Sequence, residues 1–230
     1  LGQPGQYRGI ADGKDGGQND VCVGDPCQMT SPDHILPHLY TNGWSGVIDA
    51  SKFFHMFVTK EEEKKYLGLI YPRDSSMWTY DTLPMGTRKS PGISGRFGAT
   101  FLRRVIDKFP IFQGTPTDNS IMAYFTKKVY HPEYGDGRAL VGTDSIPIVI
   151  VWIHVDDILA HRPTFAKLSE GLKMLLDTTV ELGMICQPCK TVSPTQTIKF
   201  CGFIYDTQNT PTIIIPDDKV SRAIAMIDYI

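Results

Sequence analysis

The amino-acid sequence predicts an α+β fold. Three observations carry this. Short β-branched runs and amphipathic stretches alternate, but without strict strand–helix–strand regularity. No internal repeat is present. The 230 residues are 41% apolar, too rich for a disordered chain and ordinary for a globular one. Collagen-like, coiled-coil and small disulfide-stapled chains are excluded by composition. The length suits one or two domains and suffices to bury a core.

The elements follow in order. The first 35 residues are rich in Gly, Asp, Asn and Pro and read as loops with room for one hairpin, with a strand at Tyr7–Asp12. Trp44–Ala50 is a strand that runs into Asp49. Phe53–Phe57 either continues it or opens a short turn. The Glu61–Lys65 patch is solvated and long enough for one helical turn. Tyr66–Tyr71 and Met77–Thr82 are strands of a hairpin joined by Pro72-Arg73-Asp74-Ser75-Ser76. Leu83-Pro84-Met85-Gly86 breaks the chain. A helix then starts with Ser90 as N-cap and Pro91 at the first helical position, and runs to about Phe109. Ile148–Val155 and Ile158–Ala160 are strands separated by Asp156-Asp157. Phe165–Leu182 is an amphipathic helix with Phe165, Leu168, Leu172, Leu175, Leu176 and Val180 on its apolar face, ended by Gly183. Ile198–Tyr205 and Thr212–Ile215 are strands, and Asp217–Ile230 starts a helix.

The formal charge of −2 hides an asymmetry. Residues 49–131 hold 13 basic and 8 acidic groups, whereas the segments on either side are net acidic. A basic middle in an acidic chain suits a polyanion channel, although chance clustering produces the same count. Five widely spread cysteines suit a reducing compartment. No run approaches the ~18 apolar residues of a membrane span. No leader follows Leu1, so secretion is unsupported and the chain is expected to be a fragment of something longer.

The sharpest chemical feature is Ile153-His154-Val155-Asp156-Asp157-Ile158-Leu159. Two adjacent carboxylates between apolar strand runs repel each other and resist burial. A divalent cation relieves both costs, and Mg²⁺ prefers carboxylate oxygen. A bare Asp-Asp pair is more often an exposed turn, but apolar flanks weaken that alternative. Asp49, at the end of another apolar strand, fits the same logic. Three carboxylates around two Mg²⁺ about 3.5–4 Å apart suit nucleotidyl transfer.

An ordered series of segments extends the pattern. Arg8-Gly9-Ile10-Ala11-Asp12-Gly13-Lys14-Asp15 is similar to R-x-x-x-D-x-R-x-L-N. Ile48-Asp49-Ala50-Ser51-Lys52-Phe53-Phe54 is similar to D-x-x-x-x-[FY], and Leu83-Pro84-Met85-Gly86 with Ser90-Pro91 to L-P-x-G-x-x-x-[SA]-P. His154-Val155-Asp156-Asp157 is similar to [YF]-x-D-D. Gly183 with Pro188-Cys189-Lys190 is similar to G…P-x-K, and Phe200-Cys201-Gly202 to [FW]-x-G. Each segment alone is weak, but six in order across nearly the whole chain make a strong signal. The chain resembles the reverse transcriptases of retroelements, nearest to those of LTR-type and related retrotransposons.

The resemblance implies a right-hand polymerase fold with an antiparallel palm sheet backed by helices. Fingers would span about 1–24 and 57–89, palm 25–56 and 90–208, and the start of the thumb 209–230. It implies Asp49, Asp156 and Asp157 as metal ligands, with Asp157 the least direct, and the Ala50 carbonyl as a further ligand. The cofactor would be two Mg²⁺, with Mn²⁺ as a substitute. Lys190 would donate a proton to the leaving pyrophosphate. Arg8, Lys14, Lys52, Phe53, Phe54, Met85 and Gly86 would bind the nucleotide. The Lys52 and Phe53 amides would face the triphosphate, and Phe54 would be a steric gate against ribonucleotides. Arg88, Lys89, Arg96, Arg103, His154, Phe200, Cys201 and Gly202 would contact template or primer. Lys89, Arg96 and Arg103 recur every seven residues on one helix face, with Arg88 and Arg104 beside them; a solvated face is the bland alternative.

The partners implied are an RNA or DNA template, a primer and dNTPs, with no membrane. RNase H and integrase domains would share the parent Pol polyprotein. The location implied is intracellular, in cytoplasmic virus-like particles or the nucleus. His154 replaces the usual Tyr or Phe, and Gly13, Gly16 and Gly17 replace bulkier residues. Cys186-Gln187-Pro188-Cys189 invites a zinc reading, but Cys22 and Cys27 are its nearest complement and their spacing is unusual. Two alternatives stand beside the polymerase: a decayed or domesticated relic that only binds nucleic acid, and a viral RNA-dependent RNA polymerase. The Phe54 gate and the His154-Val155 box argue against the second.

Overall fold

A computed structural model describes residues 18–21, 31–70, 74–108, 138–141 and 147–227. Its helices are α1 (Gln18–Val21), α2 (Pro32–Ile35), α3 (Glu61–Lys64), α4 (Ser90–Lys108), α5 (Phe165–Glu181) and α6 (Asp217–Ile227). Its strands are β1 (Trp44–Asp49), β2 (Gly68–Ile70), β3 (Met77–Thr79), β4 (Arg138–Val141), β5 (Pro147–His154), β6 (Asp157–Arg162), β7 (Val192–Thr195), β8 (Thr197–Phe200), β9 (Phe203–Asp206) and β10 (Thr212–Ile214). The expected strand at Tyr7–Asp12 lies outside the described residues, as do Arg8, Lys14, Cys22, Cys27 and Phe109. Two compact units divide the chain, one from residues 1–27 and 52–97, the other from 28–51 and 98–230.

The first unit is organised by an aromatic cluster. Lys52 adopts a left-handed φ of 53° and turns the chain into a single 3-10 turn, Phe53–Met56. Phe53 is buried, and the rings of Phe54, Phe57 and Phe97 meet it edge to face at 5.2–5.6 Å, the geometry the ring quadrupoles prefer. The β2–β3 hairpin forms but is shorter than expected. Helical-type bonds from the Tyr66 and Leu67 amides to Glu63 and Lys64 carry the acidic turn into the first strand.

The start of α4 corrects a second expectation. The Ile93 amide bonds the Lys89 carbonyl at 3.1 Å, so Lys89 is the capping position and Ser90 is already helical. The Ser90 hydroxyl instead donates to Pro84 O at 3.0 Å and meets Thr87 Oγ1 at 2.5 Å, clasping the Leu83–Thr87 loop.

The second unit is built on a five-stranded antiparallel sheet in the order β4-β5-β6-β1-β7. Alternation sends Val47, Leu159 and Trp152 to one face, where they join Ile35, Ile198, Phe200 and Tyr205 in a buried core. The next register row, Ile48, Ile158 and Ile153, faces the other way. On that side a Cβ on Gly98 of α4 would come within ordinary van der Waals contact of Ile153, and a Cβ on Gly46 would strike Leu172 of α5 at 2.6 Å. Helix α5 buries Leu168, Leu172 and Leu175 together with Thr178 and Thr179, whereas Val180 is exposed. Gly183, at φ 72°, ends the helix, and the Met184 amide closes onto Thr179 O.

The expected Ile198–Tyr205 strand is two strands. Cys201 and Gly202, at φ 49° and 76°, form a two-residue turn between paired Phe200 and Phe203. Two successive positive φ values are the hairpin geometry whose twist matches the strands. β7 carries no clear sequence signal, because Pro194 interrupts its short run. It forms by pairing with the edge of β1. No helix of the described residues is long and apolar enough to cross a membrane.

Candidate active site

The sheet register assembles the site. Asp49 ends β1 opposite Asp157, and Asp157 pairs in turn with His154 of β5. Three neighbouring strands therefore carry Asp49, Asp157 and His154 in one cross-strand row. That row continues the face of Val47, Leu159 and Trp152 one step toward the sheet end. The turn is displaced by one residue from the expected Asp-Asp. Val155 and Asp156 form the two-residue loop, and Asp157 already belongs to β6. Val155 holds φ 57°, an outlier for a β-branched residue. Nothing in a Val foretells it.

Backbone bonds fix the loop to its neighbours. The Ala50 amide donates to Asp156 O at 2.8 Å, and the Gln187 amide to Asp49 O at 2.8 Å. Ala50 also bridges Cys186, and the Ser51 amide donates to Ile185 O. The segment after α5 is thus stitched to the end of β1, and it brings Lys190 Nζ to 3.3 Å from Asp49 Oδ2. The sequence reading named Lys190 and not Gln187, the residue that seats it.

The electrostatics are unfavourable without further positive charge. Asp49 is 7% exposed, and its Oδ1 is buried with no hydrogen-bond partner among the described residues. Burial first, then the charges of Asp156 and Asp49, push the Asp157 carboxyl up to about 7. Asp156 is raised too, by burial and then by Asp49, while Lys190 and His154 oppose the shift. Like charges opposite each other on a sheet repel. The donor set fits a divalent cation chemically: hard carboxylate oxygens, one orphaned, with excess negative charge. The spacing does not close a cage. Among the described residues, no three His, Cys, Asp or Glu side chains are disposed to hold a metal ion together.

Other expected site residues are placed as follows. His154 packs edge-on to Phe200, ring centroids 6.4 Å apart, and Phe200 is 2% exposed, so that ring supports His154 from the core. Cys201 and Gly202 form the β8–β9 turn. Lys52, Phe53, Phe54, Met85, Gly86, Arg88, Lys89 and Arg96 fall in the first unit. There Phe54 is half-buried, and Arg88, Lys89 and Arg96 are exposed. Asn19 settles the Gly86 loop. Its side chain accepts from the Arg88 amide at 2.8 Å and donates to Gly86 O at 3.2 Å. Arg103 lies on α4, its side chain outside those described, and Arg104 pairs with Glu181 through Nε at 2.6 Å. Cys186 meets Thr179 Oγ1 through its thiol at 3.2 Å, and Cys186, Cys189 and Cys201 are free.

No protein-family model matches the sequence, and no curated protein matches it. Solved structures do. The foamy viral protease–reverse transcriptase dRH in complex with double-stranded DNA superposes with TM-score 0.62 at 16% identity, over 90% of this chain and 28% of that one. The foamy viral protease–reverse transcriptase with an RNA/DNA hybrid gives 0.58 at 15% identity, over 89% and 21%. The same protein with double-stranded DNA gives 0.58 at 16%, over 94% and 34%. The chain thus spans about a third or less of those longer proteins, and its mixed helix and antiparallel-sheet architecture is a reverse transcriptase-like fold.

Proposed function

We propose that the chain is the polymerase part of a reverse transcriptase from a retrotransposon Pol polyprotein. It would extend a primer with dNTPs on an RNA or DNA template. The observation that carries this reading is the register row of Asp49, Asp157 and His154 with Asp156 on the adjoining turn. Three residues from three strands and one from the adjoining turn converge at one sheet end, with a buried oxygen that no described residue satisfies. The foamy viral likenesses, solved on double-stranded DNA and on an RNA/DNA hybrid, support nucleic acid as the partner. In this reading residues 1–24 and 57–89 are fingers, 25–56 and 90–208 palm, and 209–230 the start of the thumb.

Asp49, Asp156 and Asp157 would hold the divalent ions, Mg²⁺ or Mn²⁺, with the Ala50 carbonyl. When bound, such ions acidify a primer hydroxyl and neutralise a leaving pyrophosphate. The chain's own residues do the rest. Strand pairing holds the backbones of Asp49 and Asp157 opposite each other before any ion binds, and the side chains would close on it. Lys190 balances Asp49 and would give a proton to the leaving oxygen. Arg8, Lys14, Lys52, Phe53, Met85 and Gly86 would seat the nucleotide, with Phe54 against its sugar. Arg88, Lys89, Arg96 and Arg103 would meet template phosphates.

Primer extension on poly(rA)/oligo(dT) with Mg²⁺ and dTTP tests the reading. Extension by the native chain and none by Asp156→Ala, Asp157→Ala establishes it; extension that survives the double substitution refutes the site. Incorporation of UTP as readily as dTTP would favour an RNA-dependent RNA polymerase. A second reading is favoured by the unclosed carboxylate set, in which Lys190 already neutralises Asp49. In that reading the chain is a relic, and it binds duplex without extending it.

A further inference from the structure

Two thiols flank the backbone that carries Lys190 to Asp49. Cys186 bridges Ala50, and the Gln187 amide donates to Asp49 O at 2.8 Å. The Gln187 carbonyl then accepts from the Lys190 and Thr191 amides, each at 3.0 Å, which closes a turn over Pro188 and Cys189. Lys190 Nζ leaves that turn to stand 3.3 Å from Asp49 Oδ2. Cys189 therefore sits inside the turn, directly before the lysine. All of these residues belong to the second unit.

The two sulfurs differ in their surroundings. Cys189 is exposed, Cys186 is half-buried, and both are free thiols. The Thr179 hydroxyl donates to Leu176 O at 2.7 Å, so the Cys186 thiol is the donor in its 3.2 Å contact with Thr179 Oγ1. A surface thiol with a second one at C-x-x-C spacing is the arrangement of dithiol redox pairs. Metal binding is the other use of such a pair, but among the described residues no three His, Cys, Asp or Glu side chains are disposed to hold an ion.

We propose that Cys186 and Cys189 are a peroxide-sensitive thiol pair, and that closing it to a disulfide draws Lys190 away from Asp49. The exposed Cys189 sulfur gives an electron pair to hydrogen peroxide. An S–O bond forms as the O–O bond breaks, and the thiol proton leaves in water. The Cys186 sulfur then attacks the sulfenic sulfur. The S–S bond forms, the S–O bond breaks, and the hydroxide departs as water with the Cys186 proton. Two electrons pass from the two thiols to the peroxide. A disulfide needs its Cα atoms about 4.4–6.8 Å apart and its sulfurs in one geometry. Cys186 is strapped to Ala50 and Thr179, so Cys189 is the side that moves, and Lys190 moves with it. The thiol chemistry stands by itself; its effect on primer extension rests on the polymerase reading.

The test treats the full chain with hydrogen peroxide and reads the tryptic peptide 174–190, which holds Cys186, Cys189 and no other cysteine. A loss of about 2 Da, reversed by dithiothreitol, is expected. Cys186→Ser and Cys189→Ser should not show it. The oxidised native chain should then behave as Lys190→Met does, with a larger rise in melting temperature per millimolar Mg²⁺ than the reduced chain. Its primer extension should fall by about tenfold or more, and peroxide should change neither measurement in Cys189→Ser. A peptide that keeps both thiols, or gains oxygen on a single cysteine, overturns the thiol pair. A disulfide that forms and leaves the Mg²⁺ response at its reduced value overturns the link to Lys190. Failure of the reduced chain to extend any primer, with the disulfide and the Mg²⁺ response as expected, would remove the polymerase reading and leave this inference standing.

Discussion

Asp49 and Asp157 stand opposite each other as register partners on β1 and β6, one buried and the other half-buried. Two carboxylates in that relation raise the free energy of the fold whenever both are ionised and no cation lies between them. The charges of the site therefore bear on stability as well as on chemistry.

In metal-free protein, the half-buried Asp157 and the buried His161 should oppose each other across the same pH range. Asp157, raised to about 7, keeps its proton in the fold above the pH at which it ionises unfolded. The folded state then binds more protons between about 4 and 7, and stability falls as pH rises through that range. His161 works in reverse. Burial lowers it to about 4, so its contribution is complete above 6.5 and is lost as pH falls through about 4. In denaturant melts of the native chain from pH 4 to 8 the two effects should offset each other in part, with the raised Asp156 adding to the fall. Asp157→Asn should melt progressively harder as pH rises, and His161→Gln progressively easier. Identical slopes in all three proteins would refute the assignment.

Lys190→Met should leave Asp49 without its counter-charge. Breaking an enclosed pair by removing one partner commonly costs about 3–5 kcal/mol; less is expected here, about 1–2 kcal/mol, because Lys190 is 45% exposed. Mg²⁺ or Mn²⁺ should recover more stability in this variant than in the native chain, read as the rise in melting temperature per added millimolar of ion. An equal rise in both would separate Lys190 from the carboxylate site.

Two glycines of the same region should differ in their tolerance of a methyl group. A Cβ at Gly43 would meet the His161 ring at 2.5 Å and Tyr40 O at 2.8 Å. That ring cannot retreat. Its Nε2 accepts from the Tyr40 amide at 2.8 Å, its Nδ1 pairs with Ser45 Oγ at 2.8 Å, and it stacks on Tyr40. Gly43→Ala should cost about 2–4 kcal/mol, as overpacking and a broken buried hydrogen bond combine. At Gly46 the first obstacle is a methyl of Leu172, which can rotate, so Gly46→Ala should cost about 1–2 kcal/mol. Chemical denaturation of the two variants checks the order.

Val155→Gly should relieve the left-handed strain at the tip of the β5–β6 hairpin. The αL conformation costs an L-residue about 1–2 kcal/mol, and the extra chain entropy of glycine returns about 0.5–1 kcal/mol. A net gain of about 0.5–1 kcal/mol is expected in equilibrium unfolding. A loss would show that contacts of the Val155 side chain outweigh its backbone strain.

Much of the local structure was legible because it depends on near neighbours. Apolar runs ending in Asp49 and flanking Asp156-Asp157 announced strands that terminate in charge. Gly183 announced the end of α5, since a left-handed residue after a helix is almost always glycine. Where a boundary depends on a hydrogen bond to a distant residue, local pattern misleads. Ser90 looks like a cap, but its hydroxyl is drawn to Pro84 O. Phe200-Cys201-Gly202-Phe203 looks like continuous strand, because Cys at φ 49° has no compositional signature. Val180 sits at helical spacing from Leu176, but the face that meets the sheet is widened by Thr178 and Thr179, whose hydroxyls satisfy themselves on helix carbonyls.

By itself, then, the sequence determined an α+β chain, the order of its chemical segments, and the identity of the carboxylates at two strand ends. Hydrophobic periodicity and charge placement are local properties, and they are written residue by residue. Only the tertiary structure decided that Asp157 and not Asp156 shares a row with Asp49, and that Gln187 brings Lys190 to that row. Those relations come from register and from the packing of segments far apart in the chain. A one-residue shift of β6 against β1 would turn Asp157 to the opposite face, and no pattern within either strand reports which register wins.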